Sequence, residues 1–147
     1  MKQLLDTEFQ EANDSPGFLL WRLGNKWQAE QRAALQPFDL THVQFVLLAT
    51  LTFASSERKL TQKQLAAAAQ LDVMMTSQVL RKLADKGLVD RAVSASDKRA
   101  ILLTPTAAGL RLVNQAVQAV ETVDRQFFGA LGSDAAMFTA AMRRLVS

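Results

Sequence analysis

The chain has 147 residues, which allows one domain with a real hydrophobic core and leaves too little for two domains of ordinary size. It contains no cysteine and one histidine, so disulfide frameworks, thiolate metal sites, cysteine redox sensing and histidine-rich metal centres are excluded. The net charge of +3 is unevenly spread: residues 58–99 hold nine Lys/Arg against four Asp, a local excess of five positive charges, and the remainder is net acidic. A basic middle between neutral-to-acidic ends is either a solvated charged face or a surface meant for a polyanion.

Nearly half the residues are apolar, yet no run approaches the roughly 20 uninterrupted apolar residues of a membrane span. The longest, FVLLATLTFA, reads as a buried helix. The opening stretch, MKQLLDTEFQEANDSPG, has neither an apolar signal core nor a small-residue cleavage site, so a cytoplasmic location without a membrane partner is expected.

In chain order, Ser15 and Pro16 form an N-cap followed by the first helical position, opening a helix that ends before Pro37. Thr41 with Gln44, and Thr61 with Gln64, are capping boxes that start two more helices, one to about Phe53 and one to about Ala69. The first of these is apolar nearly all round and should be central. After a turn at Gln70 and Leu71, Asp72 caps a fourth helix, VMMTSQVLRKLADK, which Gly87 closes in the left-handed conformation. Thr76, Val79, Leu80 and Leu83 mark its inner face, leaving Met74, Met75, Ser77, Gln78, Arg81, Lys82 and Asp85 largely outward.

LVDRAV and RAILLT then alternate with period two around SASDK, the pattern of a hairpin. Thr104 and Pro105 are expected to cap a long helix reaching about Leu131. Its apolar positions, Leu110, Val113, Val117, Val120, Phe127 and Leu131, step by three and four with Asp124 interrupting, which describes a heptad seam for a partner subunit or packing on the chain's own first helix. A last helix after Ser133 carries Phe138, Met142 and Leu145 or Val146.

A short helix, a tight turn, an amphipathic helix and a two-stranded hairpin make a winged helix-turn-helix. The fold class expected is therefore mainly α: one domain over residues 1–147, with a winged core at about 40–104 and flanking helices at about 15–36 and 105–147. The major groove of DNA admits one helix, and a neighbouring basic hairpin can enter the minor groove. On that basis Met74, Met75, Ser77, Gln78, Arg81, Lys82, Arg91, Asp97, Lys98 and Arg99 are the candidate DNA-binding residues. Several have an alternative, Arg81 and Lys82 as ordinary solvated charges among them. Met74 and Met75 read first as packing residues and second as contacts to thymine methyls; Arg91 either meets phosphate or pairs with Asp90 or Asp97; Arg58, Lys59 and Lys63 are solvated or touch phosphate.

The stretch LAAAAQLDVMMTSQVLRKLADKGLVDR joined to SDKRAILLTPTAAG resembles the signature of the MarR family of transcription regulators. In element order the resemblance covers residues 15–147, and its specific part lies between 61 and 109. It implies a homodimer whose first and last helices intertwine, so that the flanking helices form a dimerisation domain and two winged units grip a pseudo-palindromic operator on double-stranded DNA. The family's Asp-x-Arg wing pattern, followed by Leu-Thr and then Gly, is matched by Asp97, Arg99, Leu103, Thr104 and Gly109. That match implies that Arg99 is the minor-groove residue, with Asp97 steadying it. The chain departs from many relatives in having Ala95 where they have proline and Gln78 where they have arginine, which shifts the expected base preference from guanine toward adenine.

The resemblance also implies a small aromatic or anionic effector held between the winged unit and the dimer helices, for which Trp27, His42 and Phe45 are the candidates. No metal or other cofactor is expected. The function that follows is a sequence-specific, homodimeric transcription repressor. A winged-helix protein-interaction module is the alternative, disfavoured by the basic outward face of the fourth helix. No nucleophile and base or paired carboxylates occur at catalytic spacing, so an enzyme is not expected.

Overall fold

The computed structural model describes residues 4–147. Six helices, α1 (Pro16–Leu35), α2 (His42–Ser55), α3 (Gln62–Ala68), α4 (Val73–Asp85), α5 (Ala107–Gly129) and α6 (Ala135–Val146), accompany a small antiparallel sheet. The sheet has three strands, β1 (Leu60–Thr61), β2 (Val89–Val93) and β3 (Ile101–Pro105), in the order β1-β3-β2. This is the mainly α winged helix-turn-helix that the sequence describes.

The capping signals act as read. Ser15 accepts from the Phe18 N–H at 3.2 Å, with Pro16 at the first helical position. Thr41 and Gln44, and Thr61 and Gln64, close reciprocal boxes, and Asp72 accepts from the Met75 N–H at 3.0 Å. Each satisfies helix-terminal donors that would otherwise lose their water on folding. Gly87, at φ 74°, ends α4: its N–H bonds to Ala84 O at 2.9 Å and that of Leu88 to Leu83 O at 2.9 Å, the paired Schellman pattern.

Two boundaries differ from expectation. Pro105 does not start a helix; it stays in β3 opposite Val89, and the cap of α5 is Thr106, whose Oγ1 accepts from the Gly109 N–H at 3.0 Å. Thr106 gains a second partner by donating to Gly87 O at 2.7 Å. The third strand, β1, was not expected: Leu60 pairs with Leu103 and Thr61 with Leu102. Two residues are too few to show alternation, and Thr61 is already legible as a cap.

The core gathers Leu35 of α1, Phe45, Leu47, Leu48 and Leu51 of α2, Leu65 of α3, Val79, Leu80 and Leu83 of α4, and Val113, Ala116 and Val120 of α5. The most apolar helix, α2, is central because it alone meets α1, α4, α5 and the sheet. On α5 the buried positions are Gly109, Val113, Ala116 and Val120, so the inner face takes Val113 and Val120 from the expected seam and packs them on the chain's own α1 and α2. Leu110 and Leu131, at the two ends of the expected seam, stay exposed. No single helix among the described residues is long and apolar enough to cross a membrane.

Candidate nucleic-acid interface

The helix-turn-helix is built by α3 and α4 around a turn at Gln70, whose left-handed backbone (φ 51°) reverses the chain without glycine. Thr76, Val79, Leu80 and Leu83 hold one face of α4 in the core, and Thr76 satisfies its own hydroxyl on Asp72 O at 2.8 Å. The opposite face carries Met74, Gln78, Arg81 and Lys82 into solvent, with Ser77 half-buried beside them. Met74 and Met75 are 73% and 49% exposed, so neither fills the core; the packing reading preferred for them from the sequence is overturned. An amphipathic helix spends its apolar positions inward, and Val73, Met74 and Met75 fall on the first turn, outside the stripe that Thr76 begins.

The wing is β2 and β3 with the loop between them. Ser94 N–H bonds to Ala100 O at 2.9 Å and Ala100 N–H to Asp97 O at 3.0 Å, closing the loop tightly. Asp97 Oδ1 accepts the Arg99 backbone N–H at 3.0 Å and lies 3.7 Å from Arg99 Nε. The carboxylate thus fixes the turn and leans on the guanidinium, which remains 95% exposed and free to meet other oxygens. Lys98 is exposed next to it. Arg91 is half-buried on β2, pairs with neither Asp90 nor Asp97, and its Nε has no partner. The ion pairing weighed for it is therefore not formed.

Glycine at 109 has a geometric cause. A Cβ there would lie 2.1 Å from the Leu88 carbonyl oxygen, because α5 starts directly against the end of α4 and the beginning of β2. The Thr106 N–H bonds that same oxygen at 3.0 Å. The Leu-Thr…Gly part of the wing pattern is thus a joint between wing and long helix, with only glycine small enough for the approach.

The three residues considered for an effector separate. Phe45 is 6% exposed and belongs to the core. Trp27 of α1 and His42 of α2 meet edge to face, ring centroids 5.0 Å apart, where α1, α2 and α5 converge. Asp124 of α5 completes this group, accepting from Trp27 Nε1 and from Gln31. Burial holds the His42 pKa below its ordinary value, the nearby Arg32 charge lowers it further, and Asp124 partly offsets both. Sequence reasoning missed Gln31, since a glutamine on a long polar-looking helix gives no periodic signal.

The outer helices leave apolar surface uncovered. Phe18, Leu19, Leu20 and Trp21 of α1 are exposed, as are Met137, Leu145 and Val146 of α6, and no residue of α6 is buried within the chain.

Comparison with known proteins agrees with this architecture. The model of the MarR family matches residues 40–101. The chain is 43% identical to the uncharacterised HTH-type transcriptional regulator YdcH of Bacillus subtilis, over 84% of this chain and 85% of that protein. It is 37% identical to the HTH-type transcriptional repressor Rv2887 of Mycobacterium tuberculosis, over 82% and 85% of the two chains. Among solved structures, CouR of Rhodococcus jostii bound to p-coumaroyl-CoA is similar at 26% identity and a TM-score of 0.80, covering 93% of each chain. With the winged fold, the wing motif and these relatives in agreement, the chain belongs to the MarR family of transcriptional regulators.

Proposed function

We propose that the protein acts in the cytoplasm as a homodimeric repressor that binds a two-fold operator. Residues 40–104 serve as the DNA-binding unit, and the helices at 15–36 and 105–147 serve as the dimerisation unit. The observation that carries this reading is the joint exposure of two basic elements: Arg81 and Lys82 on the outer face of α4, and Lys98 and Arg99 at the wing tip. Neither pair is consumed by the core, and an exposed cationic face of this kind attracts a polyanion. In this reading α4 enters the major groove with Met74, Met75, Ser77 and Gln78 near base edges, Arg91 meets the backbone, and the wing carries Arg99 into the minor groove with Asp97 fixing its turn.

The uncovered apolar side chains of α1 and α6 support the dimer, since so much exposed leucine and aromatic surface on a small domain calls for a partner. Trp27 and His42, which keep part of their surface accessible beside buried Phe45, are the proposed contacts of a small aromatic effector. The relative CouR, bound to an aromatic acyl thioester, supports an effector of that class.

The test is binding to duplex DNA from the region flanking the protein's own gene, followed by footprinting. A two-fold protected region and an affinity that falls with log salt at about 0.9 per neutralised phosphate are expected. Salt-insensitive binding, or none, removes the proposal and leaves the protein-interaction module as the better reading.

A further inference from the structure

Lys86 stands at the C-terminal end of α4, one residue before Gly87, and its side chain reaches the elbow between α1 and α2. Its ammonium donates to the Asp39 carbonyl and to Gln44 Oε1 at 3.2 Å, and lies 3.6 Å from Asp39 Oδ2. An ammonium has three N–H donors. Two of them find acceptors within hydrogen-bond reach, the Asp39 carboxylate adds an ion pair, and all three partners belong to the elbow.

The elbow is itself an ordered device. The 3₁₀ turn Gln36–Phe38 ends at Asp39, held in the left-handed region at φ 53°, and Thr41 then opens α2 through its capping box. Gln44 Oε1 serves twice, accepting the Thr41 N–H at 3.1 Å as well as Lys86. The end of α4 and the start of α2 are therefore bound through one shared atom. Among the described residues no other side-chain hydrogen bond or ion pair joins α4 to the elbow. The remaining ties of α4 are the core packing of Thr76, Val79, Leu80 and Leu83 and, just beyond its end, the bonds from Thr106 to Gly87 O and Leu88 O, which join it to α5 and not to the elbow.

We infer that Lys86 is a positioning residue: by tying the end of α4 to the point where α1 stops, it fixes the separation and phase of the two recognition helices and so sets the half-site spacing the dimer accepts. The inference rests on the homodimeric DNA-binding reading above. Its leverage comes from the geometry of the duplex. Adding one base pair moves a half-site by about 3.4 Å and turns it by roughly 35°, so a recognition helix tied to both the elbow and α5 follows less readily than one that has lost its tie to the elbow.

The experiment uses the full-length protein and duplexes selected by the wild type from a randomised pool. Dissociation constants are measured for the selected spacing, for spacings longer and shorter by one base pair, and for a duplex carrying a single half-site. The wild type is expected to lose about tenfold or more for each altered spacing, and Lys86→Met less than about threefold, while single half-site affinity stays within about twofold. Lys86→Arg retains most of the spacing penalty. Asp39→Gly, which suits the left-handed backbone and removes only the carboxylate, gives a smaller flattening in the same direction.

A Lys86→Met protein with the wild-type spacing penalty overturns the inference. So does one that loses single-site and two-site affinity in parallel, since that is a merely structural role. A wild type that selects no duplex overturns the regulator reading itself, an outcome distinct from either.

Discussion

Asp124 of α5 gathers two donors from α1 on a single oxygen: its Oδ1 accepts the Trp27 indole N–H at 2.8 Å and the Gln31 amide N–H at 2.7 Å. The carboxylate that interrupts the apolar series of α5 is thus the polar tie between the chain's first and fifth helices. Gln31 is fully buried and its Oε1 has no partner, so its one strong bond to Asp124 carries its whole polar satisfaction.

Removing this tie should cost stability on the scale of buried hydrogen bonds. Asp124→Ala is expected to lower the unfolding free energy by about 1–3 kcal/mol, and Trp27→Phe by about 1 kcal/mol. The double variant should lose less than the two effects added, because one acceptor serves both donors. Urea unfolding at a fixed protein concentration measures all three, and strict additivity would show that Trp27 and Asp124 act independently.

Gly109→Ala is expected to destabilise by about 3 kcal/mol or more, because the new methyl meets backbone and no side chain can move aside. Thermal unfolding of the variant reads the cost directly. A loss below about 0.5 kcal/mol, the scale of an ordinary surface change, would mean that the wing joint relaxes freely.

At the wing and on α4 the two kinds of DNA contact should separate. Arg99→Ala is expected to weaken binding without changing preference at the base pairs read in the major groove, and to lower the salt slope by about 1. Gln78→Ala should instead relax preference at one base pair by about 1–3 kcal/mol with the salt slope kept. Since both side chains are exposed, neither change should move the unfolding midpoint. Titrations across salt and across single-base operator variants distinguish the two.

His42 makes stability depend on pH. Its folded pKa lies below the ordinary 6.5, through burial first and the Arg32 charge second. Between the folded and unfolded values the unfolded chain therefore binds more protons, so stability rises with pH there and is lost as pH falls from about 6.5 through the folded pKa. His42→Gln should flatten this part of the profile. Unfolding midpoints taken from pH 7.5 down to pH 5 would show it, and an unchanged slope in the variant would assign the dependence to other groups.

What the sequence determined by itself was local. Capping residues at Ser15, Thr41, Thr61 and Asp72, the left-handed Gly87 and the period-two hairpin are chain-neighbour effects, and each forms where the residues put it. The inner face of α4 was legible for the same reason, since a 3.6-residue period needs only one helix to be seen. Tertiary structure alone decided the matters that join distant segments. Pro105 stayed in β3 because Thr106 found a better cap with Gly87 and Gly109 as partners, and β1 formed because Leu60 had Leu103 to pair with. The partners of Asp124 lie more than ninety residues away in sequence, and those of Lys86 more than forty. A polar side chain at an apolar position announces that it needs a partner, but only the packed helices, by bringing particular donors within hydrogen-bond reach, decide which one it receives.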